Sequence, residues 1–228
     1  MTINASLFAN RDYTFHEIKN KAFEQLFRKK NIPHAPFITV SREPGSGGKL
    51  IAHRLAEHLN FKFFHKEIID RMAKNRETAN EYLEHYDEKE LGFIDDFTTS
   101  IIHPNLISQD RFVKQLIECV THLTLRGKCV ILGRGANFFT DHRFGFHVRI
   151  TAPFAYRVGK TMQYEHLSEA KAIERVREVS RARKHFVEKY FSNHIDNSEY
   201  YDLVLNRAYY SIEDVVAIII HAFKKKMK

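Results

Sequence analysis

The chain lacks any run of apolar residues approaching the ~20 that a membrane-spanning helix needs. Its first eleven residues carry no long apolar stretch of the secretory-signal kind. The expectation is therefore a soluble protein with no spanning helix, no export by that route and no membrane partner. Cysteine is scarce. Only Cys119 and Cys129 occur, both in apolar surroundings (LIECV and GKCVIL), too few for a disulfide framework and consistent with a reducing cytoplasm. Fourteen histidines are present, yet neither an H-E-x-x-H nor a paired C-x-x-C accompanies them. Cys119-x-x-His122 is one half-motif inside a predicted helix, so no metal ligand is assigned. There is no internal repeat, no low-complexity tract, and no serine triad or activated cysteine.

What is present is an ordinary globular composition. The 228 residues are 43% hydrophobic, enough for a core and for one domain with an appendage, at roughly 100–200 residues per domain. The 36 basic and 28 acidic side chains leave a net charge of +8. That excess suits phosphometabolites, nucleic acid and acidic membranes alike.

Along the chain, apolar spacing predicts an N-terminal helix over residues 13–30, then a β-branched strand at 36–41. The glycine-rich stretch Glu43-Pro44-Gly45-Ser46-Gly47-Gly48 follows at once, and Ile51, Leu55 and Leu59 repeat every four positions after it. This is strand, glycine loop, helix. A short strand at 61–64 and a helix at 66–74 come next, then a polar, weakly patterned excursion at 77–105. A long amphipathic helix is predicted at 109–126, strands at 129–132, 146–151 and 202–206, a helix opening at Pro153, and a charged helix at 168–190. Ser211 and Asp214 form an S-x-x-D cap for a final helix. Strands alternating with helices predict βα units around a mostly parallel sheet.

A glycine loop binds phosphate because successive backbone N–H groups can turn inward on an anion. The following helix adds its positive end, and a lysine reaches the outer phosphates. Against the pattern G-x-x-x-x-G-K-[ST], Gly48-Lys49 supplies the G-K pair. Glu43 occupies the first glycine position, and Leu50 the position of the Mg²⁺ hydroxyl.

The run Ile38-Thr39-Val40-Ser41-Arg42-Glu43-Pro44-Gly45-Ser46-Gly47-Gly48-Lys49 resembles the S-R-E-x-G-S-G-G signature of the cytidylate kinase-like family of P-loop proteins. Val130-Ile131-Leu132-Gly133-Arg134-Gly135-Ala136-Asn137 resembles that family's central strand and G-R-G-A-N turn. Ala152-Pro153 with Arg157 is similar to its lid start, and Tyr201-Asp202-Leu203-Val204-Leu205-Asn206 to its closing strand. The resemblance spans about residues 36–222. It implies a P-loop nucleoside-monophosphate-kinase fold, three-layered α/β/α, with a helical NMP-binding insertion at about 66–111 and a lid at about 157–190. Residues 1–35 form an extension that could pack on the core or mediate a homodimer.

The implied reaction moves the γ-phosphoryl group of ATP, with Mg²⁺, to a nucleoside monophosphate such as CMP or dCMP. Gly45, Ser46, Gly47, Gly48 and Lys49 are assigned to the ATP phosphates, with Arg42 and Arg157 beside them. Arg181 and Arg183 are assigned as transition-state clamps, and Arg134 to the acceptor. Each arginine also has a plainer reading: a solvated helix face for Arg181 and Arg183, a turn held by carbonyls for Arg134, a carboxylate pairing for Arg42. Leu132 and Gly135 stand where cytidylate kinases proper carry acidic residues, a departure that resembles other members of the family, whereas His65 and Ser180 in place of aspartates and Arg207 in place of a hydroxyl residue are departures of this chain. Two further functions are carried. One is a catalytically weak nucleotide sensor, motivated by the missing Mg²⁺ side chains. The other is a nucleic-acid binder, for which no recognition motif appears beyond net charge.

Overall fold

The computed structural model describes residues 35–75 and 111–228. The predicted N-terminal helix and the excursion at 77–105 lie outside the described residues.

Strand β1 (Phe37–Arg42) is flanked on one side by β3 (Cys129–Leu132) and on the other by β4 (Gly145–Thr151). Beyond them lie β2 (Lys62–Phe64) and β5 (Leu203–Asn206), giving a five-stranded sheet in the order β2-β3-β1-β4-β5. All four pairings are parallel, with Val40 opposite Leu132 on one side and Val148 on the other. Parallel strands are buried on both faces, which is why the inner ones read as continuous apolar runs.

Helices α1 (Gly48–Leu59), α2 (Lys66–Lys74), α3 (Arg111–Arg126) and the short α4 (Ala136–Phe139) precede β4 or connect to it. Helices α5 (Phe154–Glu165) and α6 (Glu169–Phe191) follow β4, and α7 (Ile212–Lys226) follows β5. Side chains alternate across the sheet. Ile38 and Val40 of β1, with Val130, Val148 and Ile150, pack on Ile51 and Leu55 of α1 and Val215 and Ile219 of α7. Phe37 and Ile131 point to the opposite face, against Val113, Leu116 and Val120 of α3 and the Phe138–Phe139 turn. The predicted three-layer α/β/α architecture is the one observed.

The predicted elements agree with the structure to within a residue or two along the described chain. Helix α4 and two single-turn 3₁₀ segments, Ser198–Tyr200 and Arg207–Tyr209, were not predicted. They are too short to show a period. Ser211 and Asp214 make the full reciprocal capping box of α7. Cys119 and Cys129 are buried and unpaired, and burial pushes both thiols up to about 12, so neither is a nucleophile. No helix among the described residues is long and apolar enough to cross a membrane.

Candidate functional site

The carboxyl ends of β1, β3, β4 and β5 all open on one edge of the sheet, the edge where parallel α/β sheets place ligands. There β1 runs directly into the glycine loop. Gly45 and Gly47 hold φ of 77° and 78°, the left-handed region that glycine enters without strain. At Gly45 a side chain is also excluded by space, because a Cβ would lie 2.3 Å from the carbonyl oxygen of Arg157. The loop ends on the N-terminus of α1, where no side-chain cap is made. Its first-turn N–H groups are therefore open to an anion. Lys49 is exposed in that first turn.

Ser46 is turned inward. It is 1% exposed, and its hydroxyl and amide both donate to the Glu43 carbonyl, at 2.8 and 3.3 Å. It shapes the loop and presents no hydroxyl to a ligand.

Glu43, at the usual glycine position, ties the loop down. Its carboxylate accepts the Ala152 N–H at 3.0 Å and pairs with Arg157 Nε at 3.3 Å, while its own N–H donates to the Ile150 carbonyl at 3.0 Å. Arg157 is buried behind the loop, and its Nε also donates to the Ala152 carbonyl at 2.9 Å. The residue assigned to the lid and to ATP thus braces the loop from behind.

Beside the loop lies a cleft of about 460 Å³ between the ends of β1 and β3, the start of α2, and one face of α6. Arg42, Arg134 and Arg183 all line it, joined by Arg175, which sequence reasoning missed. Arg175, Val179, Ala182, Arg183 and Phe186 share one helical face, and that spacing was the signal available in the sequence. Arg181 lies outside the cleft and is exposed. Two positions from Arg183 means about 200° around the helix, so the two side chains cannot serve one site.

Arg183 Nη1 donates to the Arg42 carbonyl at 2.7 Å, which docks α6 on the end of β1. The Arg42 guanidinium lies over Gly133, where a Cβ would meet its Nη1 at 2.2 Å. Neither Arg42 nor Arg183 forms an ion pair among the described residues. Withdrawal from water lowers Arg42 to about 10, with Glu67 opposing and Arg134 adding to the shift. The same cause lowers Arg183 to about 9, reinforced by Arg42, Arg149 and Arg175. Two guanidiniums held out of water beside further cations favour an anion between them.

Arg134 is fixed otherwise. Its Nη2 donates to Asp70, and its guanidinium lies 5.8 and 5.4 Å from the rings of Phe112 and Phe186. A carboxylate and two rings hold it, where the plainer sequence reading had expected carbonyls. Arg149 of β4, also missed, is buried against Ser41 and Asp196 with its guanidinium 5.8 Å from the Tyr201 ring. A charged residue amid the apolar Phe146, Val148 and Ile150 could have flagged it.

The side chains at the loop do not fit direct coordination of Mg²⁺. Leu50 and Leu132 occupy the usual positions, the Ser46 hydroxyl is turned inward, and Glu43 is spent on Ala152 and Arg157. Glu67 lines the cleft and accepts from His65 at 2.5 Å. Its carboxyl is held below the ordinary range, first by a backbone hydrogen bond and then by His65 and Lys49. Elsewhere, His142, His147 and Asp202 bring ligand-type atoms within 4.8 Å of one another. There Asp202 already binds Lys226 Nζ at 2.5 Å and the His147 N–H at 2.7 Å.

The sequence pattern of the Cytidylate kinase-like family matches residues 37–209. A cytidylate kinase of Pyrococcus horikoshii is 28% identical over 185 residues, covering 80% of this chain and 85% of that protein. Among solved structures, an uncharacterized protein from Eubacterium ventriosum superposes with a TM-score of 0.65 at 24% identity, covering 83% of this chain and 98% of the other.

Proposed function

The chain belongs to the cytidylate kinase-like family, and we propose that it transfers the terminal phosphoryl group of ATP to a nucleoside monophosphate held in the arginine cleft. The observation that carries this reading is the juxtaposition of two anion sites. An uncapped helix N-terminus with Lys49 lies beside Arg42 and Arg183, two cations withdrawn from water that form no ion pair among the described residues. One site suits the triphosphate and the other the acceptor phosphate.

In that reaction an acceptor phosphate oxygen attacks the γ-phosphorus, a new P–O bond forms, and the bond to the β-phosphate oxygen breaks to release ADP. Such transfer asks the protein for alignment and for positive charge near the phosphoryl oxygens. Lys49 and the amides at Gly47, Gly48 and Lys49 would hold the donor. Arg183, with Arg42 and Arg175, would neutralise the transferred group and the acceptor phosphate. Arg134, clamped between rings, would form the wall against the acceptor's base, and Glu43 with Arg157 would keep the loop in shape. Mg²⁺ would supply further charge neutralisation when bound, carried by the nucleotide's phosphates and water.

On this reading about 66–111 is the acceptor-binding insertion, about 157–190 the lid, and 1–35 an extension. Buried free thiols suit a cytoplasmic setting. The name of the 28% identical relative supports CMP or dCMP as first acceptors to test.

The test is ADP release by purified protein with ATP, Mg²⁺ and each of CMP, dCMP, UMP, AMP and GMP. Acceptor-dependent turnover is expected, with Lys49→Ala reducing it at least ~10-fold, the scale of a lost hydrogen bond to a charged group. ATP binding without turnover on any acceptor would instead support a nucleotide sensor, the reading favoured by Leu50 and Leu132 at the Mg²⁺ positions.

A further inference from the structure

The corner after β5 brings one more cation to the glycine loop. At the end of β5, the Asn206 side chain accepts the Ala208 N–H at 3.1 Å and starts the 3₁₀ turn Arg207–Tyr209. That turn sends the Arg207 side chain back across the loop. A Cβ built on Gly47 would meet just two atoms within 4 Å, Ile212 Cδ1 at 3.9 Å and Arg207 Nε at 4.0 Å.

The guanidinium is braced, because its Nη1 donates to the Tyr210 carbonyl. Its Nε is withdrawn from solvent and has no hydrogen-bond partner among the described residues. Its charge is felt by Asp214, whose carboxyl is held below the ordinary range chiefly by its bonds to Ser211, with Arg207 contributing least. Asp214 is committed to the capping box of α7, and Arg207 makes no ion pair among the described residues. A buried guanidinium N–H without an acceptor is costly unless a ligand supplies one. Here that N–H lies beside the glycine loop, at the start of a helix whose N-terminus carries no side-chain cap.

We propose that Arg207 is a donor-side phosphate contact, its guanidinium binding the phosphate chain of the nucleoside triphosphate from the side of the loop opposite the acceptor cleft. This rests on the reading of the glycine loop as the ATP site. It adds to that site a cation from a different strand end, about 160 positions along the chain from Lys49. Because the contact is made to phosphate, it acts on any ligand carrying a polyphosphate chain, with or without a base.

The experiment is calorimetric binding of ATP and of inorganic tripolyphosphate to wild type, Arg207→Ala, Arg207→Lys and Arg207→Gln, with no acceptor present. Arg207→Ala is expected to raise the dissociation constants of both ligands by about tenfold or more, and Arg207→Lys to recover a large part of the loss. Arg207→Gln keeps an amide donor for the Tyr210 carbonyl without the charge. If Arg207→Ala does not fold, Arg207→Gln carries the test and should show the same weakening. Unchanged affinity for both ligands in the folded variants overturns the proposal. A loss confined to ATP, with tripolyphosphate unaffected, also overturns it, because the contact would then be to base or ribose. Failure of the wild type to bind either ligand would overturn the glycine-loop reading itself, an outcome distinct from the other two.

Discussion

Glu43 explains how a phosphate loop can begin on a charged residue where glycine is the rule. The first glycine of the general pattern serves a turn, and here the turn is held by side-chain bonds to the start of α5. Removing that carboxylate should cost fold stability before it costs binding. The Arg157 side chain is 11% exposed, so Glu43→Ala leaves its guanidinium largely out of water with the Ala152 carbonyl as its remaining partner. The expected loss is about 2–3 kcal/mol, the range for charge-assisted bonds whose surviving partner stays buried. Urea unfolding checks this by a lower midpoint, and Glu43→Gln should regain part of it, since an amide oxygen still accepts the Ala152 N–H. Lys49→Ala, an exposed change, should stay within about 0.5 kcal/mol of wild type. Equal stability of Glu43→Ala and wild type would remove Glu43 from its bracing role and return it to the loop's binding surface.

At the scale of elements, α1 and α7 start in opposite ways although they pack side by side on the same face of the sheet. Helix α7 closes its first turn with Ser211 and Asp214, their reciprocal bonds both at 3.0 Å. Helix α1 leaves its own first turn open. An N-terminus with no binding task is worth capping, whereas a capped one cannot receive phosphate. Ser211→Ala should therefore lower stability by about 1 kcal/mol, seen as a melting temperature lower by roughly 2–4 °C for a chain of this size. A loss of ATP affinity much beyond that would place Ser211 in the donor site. The capping box was legible in four residues of sequence, as were the inner strands, because both signals are local. Pairings such as Glu43 with Arg157, Arg149 with Asp196, and Arg207 with the Gly47 turn were not. They join residues dozens of positions apart or more, and only the crossing of β1, β4 and β5 at one sheet edge brings them together. Arg181 and Arg183 differ for a local reason that the sequence did carry. Helical period alone separates them, and Arg175 shares the cleft face with Arg183.

For the molecule as a whole, +8 resolves into cations with distinct duties. Arg42 and Arg183 face the cleft, Arg134 and Arg175 line it while also tied to carboxylates, Arg149 and Arg157 are tied to carboxylates outside it, and Lys226 is bound to Asp202. The pH dependence of stability draws on two groups that do not line the cleft, His122 and Asp196. His122 of α3 is 5% exposed, and burial lowers its pKa to about 4 from an ordinary 6.5. A histidine whose folded value is depressed is neutral in the fold while the unfolded chain takes up a proton. Above pH 6.5 it is neutral in both states and makes no difference. As pH falls from about 6.5 to about 4, stability drops, reaching a loss of about 3 kcal/mol at 1.36 kcal/mol per pKa unit. Asp196 acts in a lower window. Its carboxyl is held below the ordinary range by Lys184 and Arg149 against the opposing effect of burial, so its contribution is present above pH 3.8 and lost as pH falls further. Urea midpoints at pH 7.5, 6.5, 5.5 and 4.5 should therefore decline for wild type through the histidine window. His122→Leu, which has nothing to protonate at that position, should hold nearly level over the same range and fall only as the carboxylates begin to titrate. Parallel decline of the two proteins between pH 6.5 and 4.5 would assign the acid limb to a different buried group.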